Sequence, residues 1–184
     1  MTGLPRVDPL AHAGAVRPAT TADADAIARI YNHYVAHSIV TFEEEAVSVD
    51  DMAGRIGQVL AEGLPWLVGE EGGRVVGYAY ASKWKRRYGY RFSVESTVYL
   101  DPGCMGRGWG TRLYEGLFPL LSDWGAHLVI GGIALPNDAS VALHEKVGME
   151  KVAHFREVGI KFGQWIDVGY WQLTLSRAGV EGRG

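Results

Sequence analysis

The chain has a single cysteine, Cys104, among 184 residues. One thiol excludes an internal disulfide and a cysteine-built zinc cluster, and it fits a reducing cytoplasm. Charge of one sign is equally scarce: 18 Lys and Arg stand against 21 Asp and Glu, a formal net charge of −3. That balance gives no electrostatic hold on nucleic acid or on a membrane surface. No apolar run is long enough to span a bilayer. The opening MTGLPRVDPLAHAGAV lacks a basic region followed by a sustained apolar stretch, so it does not read as a signal peptide. Internal repeats and low-complexity segments are missing as well. What is present is ordinary for a soluble domain: 47% hydrophobic and 21% charged residues, in a chain long enough for one full core but not two.

Periodicity organises the chain. Residues 1–14, rich in Gly, Pro and Ala, read as a loose tail, as do residues 177–184, leaving one domain over 15–176. AVRPA is a short strand. A helix follows through TTADADAIARIYNHYVAHS, with Thr21 as its N-cap and Ile27, Ile30, Tyr31, Tyr34 and Val35 recurring at helical spacing. A second helix is expected from Val49 to Ala61, weakened by Gly54 and Gly57. Trp66 to Glu70 and Val75 to Ala81 form a hairpin around EGG, and Phe92 to Leu100 is the next strand. Gly110 to Trp124 reads as a helix that Pro119 should kink or shorten. HLVIGGIAL is a buried strand, NDASVALHEKVG a short helix closed by Gly148, and two strands around KFGQW end the domain. Strands interleaved with helices, then a terminal strand pair, give a mixed sheet covered by helices.

Four segments carry chemistry. In VESTVYL, alternation puts Glu95, Thr97 and Tyr99 on one face and Val94, Ser96, Val98 and Leu100 on the other. An unpaired acid there is desolvated, its pKa moves toward neutrality, and it suits a general base. Glu95 equally fits the strand's solvent-facing start, paired with Arg91 or a neighbouring lysine. Next, GCMGRGWG leaves backbone N–H groups unshielded before a helix start, where a diphosphate would sit. It is not a standard nucleotide fingerprint, and a bare glycine turn explains it too. Asn137 and His144, seven residues apart, share a helix face. Asn137 reads as a cap, and His144 as a packed histidine or as an acid near neutral pH. Finally, SKWKRRYGYR reads as a solvated hairpin loop or as a cationic cradle for an anionic substrate group.

Taken together, the order of these segments resembles a GNAT-type N-acetyltransferase, and more narrowly the phosphinothricin acetyltransferase family. The resemblance runs from VRPAT through NHYVAHSIVTFEEE, GYAYASKWK, ESTVYL, GRGWGTRLY and LPNDASVALHEKVG to VGIKFGQWIDVGYWQL; ESTVY, LPND and K-x-G-x-W-x-D-V-G are its specific parts. It implies an α/β (α+β) fold: a single domain whose mixed, mostly antiparallel seven-stranded sheet is flanked by helices on both faces. It implies acetyl-CoA as co-substrate, no metal, a cytoplasmic location and a homodimer. The cofactor would meet Val98, Tyr99 and Leu100 through their backbone, Gly106, Arg107, Gly108, Trp109, Gly110 and Thr111 as pyrophosphate loop, and Asn137. Glu95 matches the catalytic acid, and His144 stands where many GNAT enzymes carry a tyrosine that protonates the thiolate. Thr41, Phe42, Lys85, Arg87 and Tyr90 fall where the family lines its substrate site. Met105 departs from the pattern, since many relatives have Gln or Arg there.

The implied reaction acetylates the primary amine of a small amino-acid-like substrate of the phosphinothricin, methionine sulfoximine or methionine sulfone type, with Glu95 as base. Rival readings are the same fold acting on another small amine or a protein N-terminus, and a non-catalytic acyl-CoA-binding sensor. A nucleic-acid module is more distant.

Overall fold

The computed structural model describes residues 14–175. The expected tails, 1–14 and 177–184, lie outside that range apart from Gly14. In chain order the elements are β1 (Ala15–Pro18), α1 (Ala24–His37), α2 (Val49–Ala61), β2 (Trp66–Glu71), β3 (Arg74–Lys83), β4 (Ser93–Leu100), α3 (Trp109–Trp124), β5 (Leu128–Leu135), α4 (Asp138–Lys146), β6 (Glu150–Lys161) and β7 (Gln164–Thr174).

The strands make one seven-stranded sheet in the order β1-β2-β3-β4-β5-β7-β6, antiparallel except for the β4–β5 pair. Alternation along the strands builds a core on each face. Trp66, Val68 and Tyr78 pack on one side against Ile27, Ile30 and Val35 of α1 and Met52 and Ile56 of α2. Leu67, Ala79, Ala81 and Val94 face the other way, against Leu113, Tyr114, Leu117 and Leu121 of α3. Each face hides about ten or more apolar side chains, the dominant favourable term in folding.

The local departures have simple causes. The N-cap of the first helical segment is Thr20, one residue before the expected Thr21: its backbone N–H donates to Asp23 Oδ2 at 2.9 Å, and a short 3₁₀ turn over Thr21–Asp23 leads into α1. Pro119 sits inside α3 without ending it; Leu117 and Leu121 are buried on either side, and their packing outweighs one lost backbone bond. Gly54 and Gly57 lie within α2, where Met52 and Ile56 anchor the helix to the sheet.

The feature that makes a site is the fork between β4 and β5. Their pairing covers only Ser93↔Leu128, Val94↔Val129 and Glu95↔Ile130. Beyond Glu95 the two strands part, while β4 stays paired with β3 as far as Leu100 and β5 with β7 as far as Leu135. Among the described residues, no strand lies beside the inner edge of β4 from Ser96 onward. A cleft of about 990 Å³ opens there.

Candidate active site

Glu95 stands at the base of the fork. Its side chain lines the cleft, and a Cβ added to Gly132 of β5 would come within 3.3 Å of Glu95 Oε1 and 3.2 Å of the Tyr170 ring. The carboxyl group is thus pressed against a bare stretch of β5 and an aromatic side chain of β7. Burial raises its pKa above the ordinary carboxylate range. Arg91, the partner the alternative reading offered, instead lies over the Tyr88 and Phe92 rings.

The wall beyond Glu95 is β4 itself. Val98, Tyr99 and Leu100 line the cleft, with their backbone along the unpartnered edge. Their side chains are committed elsewhere: Val98 and Leu100 pack toward α3, and Tyr99 packs edge-on to Tyr31, with its hydroxyl donating to the Val40 carbonyl at 3.3 Å. The Tyr34 hydroxyl holds the end of the strand through the Leu100 carbonyl at 2.6 Å.

The glycine loop follows. Gly106 and Gly108 have φ of 71° and 82°, the left-handed region that side chains rarely adopt, and open space lies where a Cβ would be. Gly106, Gly108, Trp109, Gly110 and Thr111 line the cleft where α3 begins. Trp109 fronts it with backbone, because its ring is buried under β1 and β2. Arg107 turns away from the cleft and donates to Glu71 Oε1 at 2.7 Å. Met105 lines the cleft, half-exposed, with its sulfur 3.9 Å from the Tyr34 hydroxyl.

On the opposite wall, Asn137 accepts from the Ser140 N–H at 3.1 Å, capping α4 while lining the cleft. His144 also lines it, but is only 3% exposed. Its Nδ1 lies 2.7 Å from the Ser140 carbonyl and its Nε2 3.1 Å from the Tyr114 hydroxyl. Burial lowers its pKa, and the Ser140 carbonyl opposes that shift.

The cleft is also lined by Val40, Thr41 and Phe42, with the Phe42 ring against Gly159, and by Val158, Ile160, Val168 and Tyr170. Thr41 and Phe42 are therefore gathered with Glu95, whereas Lys85, Arg87 and Tyr90 are exposed and do not line the cleft of a single chain. The basic segment begins one side chain away, where the Trp84 ring meets that of Tyr170, with centroids 5.6 Å apart. Tyr114, Gly132 and Tyr170 are site residues that the sequence did not single out. Tyr170 lies in the quoted D-V-G-Y-W run, but its place beside Glu95 depends on strand register.

An acid at a strand fork, a free strand edge and a glycine loop at a helix start make a site for a long anionic ligand whose reactive end reaches the acid. Family comparison agrees: the acetyltransferase (GNAT) domain matches residues 16–169. The chain belongs to the GNAT family. It is an N-acetyltransferase. The enzyme is 42% identical to a phosphinothricin N-acetyltransferase of Streptomyces viridochromogenes, covering 85% of each chain. It is 37% identical to an L-methionine sulfoximine/L-methionine sulfone acetyltransferase of Salmonella typhimurium, over 87% of this chain and 94% of that one. A Salmonella typhimurium acetyltransferase structure solved with its cofactor acetyl-CoA superposes with a TM-score of 0.88 at 35% identity, covering 93% of this chain and 99% of that one. The seven-stranded sheet with helices on both faces is the fold shared with it.

Proposed function

We propose that this enzyme moves the acetyl group of acetyl-CoA to the primary amine of a small amino-acid-like substrate of the phosphinothricin, methionine sulfoximine or methionine sulfone kind. The observation that carries the reading is the position of Glu95: a half-buried carboxyl group at the fork, with no ion-pair partner among the described residues, lining the same cleft as the glycine loop. The cleft fits the donor. Open space in front of Gly106 and Gly108 admits phosphate oxygens to backbone N–H groups, and the free edge of β4 offers peptide groups to an amide-bearing arm. When bound, acetyl-CoA supplies an activated acyl group, whose C–S bond breaks as the new C–N bond forms.

The protein's part is proton handling and placement. A substrate amine is mostly ammonium near pH 7 and has no lone pair to offer. Glu95, with its pKa raised by burial, accepts that proton, a contribution of about 10²–10⁴-fold for general-base catalysis. A backbone N–H on the Val98 strand stabilises the carbonyl oxygen as it gains charge. The cleft-lining pair His144–Tyr114 would serve the departing thiolate as its source of a proton. Arg107 would have to leave Glu71 to meet a phosphate. Lys85, Arg87 and Tyr90, outside the cleft, would act on the substrate's carboxylate from the rim.

Glu95 is the sole carboxylate among the described lining residues, so the cleft offers no second acid for a polyamine. A thiol-release assay with acetyl-CoA across a panel of amines tests the reading. Methionine sulfone, methionine sulfoximine and phosphinothricin should turn over; release with polyamines or aminoglycosides alone would overturn it.

A homodimer in the cytoplasm belongs to the same proposal. β6 is an edge strand of 12 residues; Phe155, Val158 and Ile160 are exposed on it, Phe162 on its turn and Trp165 at the start of β7. A long apolar edge left open invites another chain, and a second copy would cover it. Sedimentation at micromolar concentration should give twice the chain mass.

A further inference from the structure

The K of the K-x-G-x-W run, Lys161, has no part in the chemistry above, yet it is 0% exposed. Its Nζ donates to the Thr41 carbonyl at 2.7 Å and lies 3.5 Å from the Tyr34 carbonyl in the last turn of α1. Among the described residues no carboxylate pairs directly with it. The ammonium is held by neutral carbonyls, by the negative end of the α1 dipole and by the nearby charges of Glu43 and Glu44. Burying such a charge is costly, and an unbranched apolar side chain would fill the same space without that cost. The charge therefore serves something other than packing.

What it holds is one wall of the cleft. Thr41 is gripped twice: its carbonyl by Lys161 and its hydroxyl by Tyr31, at 2.7 Å. Tyr31 donates onward to Glu43 at 2.9 Å, which Arg55 clamps with two bonds of 2.7 and 3.0 Å. Tyr31 and Arg55 come from the helices behind the loop. Lys161 alone comes from the β6–β7 hairpin, whose Val158, Gly159 and Ile160 form the facing wall. Across that gap the Phe42 ring rests on the backbone of Gly159, where an added Cβ would come within 2.4 Å of it.

We propose that Lys161 is a positioning residue that sets the width of the amine end of the cleft, by tying the Thr41–Phe42 loop to the β6–β7 hairpin. The inference rests on the reading that this end takes the amine. Lys161→Met should raise KM for the amine about tenfold and leave KM for acetyl-CoA within about twofold. Lys161→Gln, which keeps an N–H donor, should recover part of the loss. Amide hydrogen exchange over residues 38–43 should be faster in the methionine variant. Gly159→Ala pushes the Phe42 ring from the other side with Lys161 intact, and it should raise the amine KM in the same direction. Equal rises in both KM values, or faster exchange with an unchanged amine KM, would overturn the proposal. If Lys161→Met does not fold, an unchanged amine KM in Gly159→Ala overturns it. A wild-type enzyme that acetylates no amine defeats the functional reading instead, and the exchange measurement still shows whether Lys161 holds the loop.

Discussion

The Tyr114 hydroxyl on α3 and His144 Nε2 on α4 are 3.1 Å apart, and both side chains are buried. The Ser140 carbonyl, 2.7 Å from His144 Nδ1, can only accept, so the imidazole proton lies on Nδ1 and Nε2 accepts from Tyr114. With its pKa lowered by burial, His144 is neutral near pH 7 and has no spare proton of its own to give. A thiolate forming beside this pair would take the Tyr114 O–H proton and leave a phenolate, which Nε2 cannot reprotonate and which burial disfavours, so solvent would have to return that proton.

That relationship makes two variants informative. Tyr114→Phe removes only the hydroxyl and leaves a buried Nε2 unpaired, at a cost of about 1–3 kcal/mol in stability. Gly131→Ala attacks from the other side, since its Cβ would lie 2.7 Å from both Cδ2 and Nε2 of His144. Both are expected to lower kcat by about tenfold or more while leaving the amine KM in place. Steady-state kinetics and melting curves check this. Loss of melting temperature with intact kcat would assign the pair to packing alone.

Glu95→Gln should bind acetyl-CoA normally and lose about 10²–10⁴-fold in kcat. The raised pKa also sets a pH signature. Activity should fall as pH drops through that raised value, so the acid limb of kcat lies above the ordinary glutamate range of about 4.3. Stability runs the opposite way. A carboxylate whose folded pKa is raised destabilises the fold once pH exceeds the unfolded value, because ionisation is easier in the unfolded chain. Glu95→Gln should therefore melt higher than wild type at pH 7, by about 2–4 °C for each kcal/mol recovered. A lower melting point would show that the carboxylate is paired rather than strained.

The sequence carried the elements further than it carried the site. α2 begins and ends at Val49 and Ala61 as its pattern indicates, because Met52 and Ile56 recur at helical spacing. Glu95 was legible as a strand acid on the face opposite Val94 and Val98. The fork that makes it matter was not, since β4 and β5 read simply as apolar strands and their parting after Ile130 is a property of tertiary pairing. Tyr170 and Tyr114 reach the cleft through register and helix rotation, which local patterning does not encode. Arg107 shows the same limit: from within the glycine loop its side chain donates to Glu71, 36 positions earlier, a pairing that local patterning does not encode.

The basic segment is predicted to act at long range. Lys85 and Arg87 are exposed, and their link to the cleft is the Trp84–Tyr170 contact. Replacing both with Ala should raise the amine KM a few-fold at low ionic strength and have little effect in about 0.5 M salt, where screening acts within some 4–5 Å. An effect that persists in high salt would mean direct contact with the substrate, in this cleft or in that of a second copy.

The last prediction concerns the loop before the glycines. Asp101 is buried, with Oδ2 taking Arg29 and Arg74, each at 2.8 Å, and Oδ1 taking the Gly103 N–H at 3.0 Å. The Arg29 hydrogen bond, together with the Gly103 N–H and the charges of Arg74 and Arg29, holds its pKa below the usual aspartate value against the opposing effect of burial. A depressed folded pKa means that the contribution to stability is complete above the unfolded value of about 3.9 and is lost as pH falls through the folded one. Asp101→Asn should thus be less stable than wild type at pH 7 by about 1–3 kcal/mol and melt lower, and the difference should shrink as pH falls below about 4. Asp101 also fixes where the chain leaves β4 for the glycine loop, so the same variant should raise KM for acetyl-CoA several-fold with the amine KM unchanged. Were the melting point to fall and the acetyl-CoA KM to stay put, the two arginines would be bracing the sheet edge and the loop would be set by Gly106 and Gly108 alone.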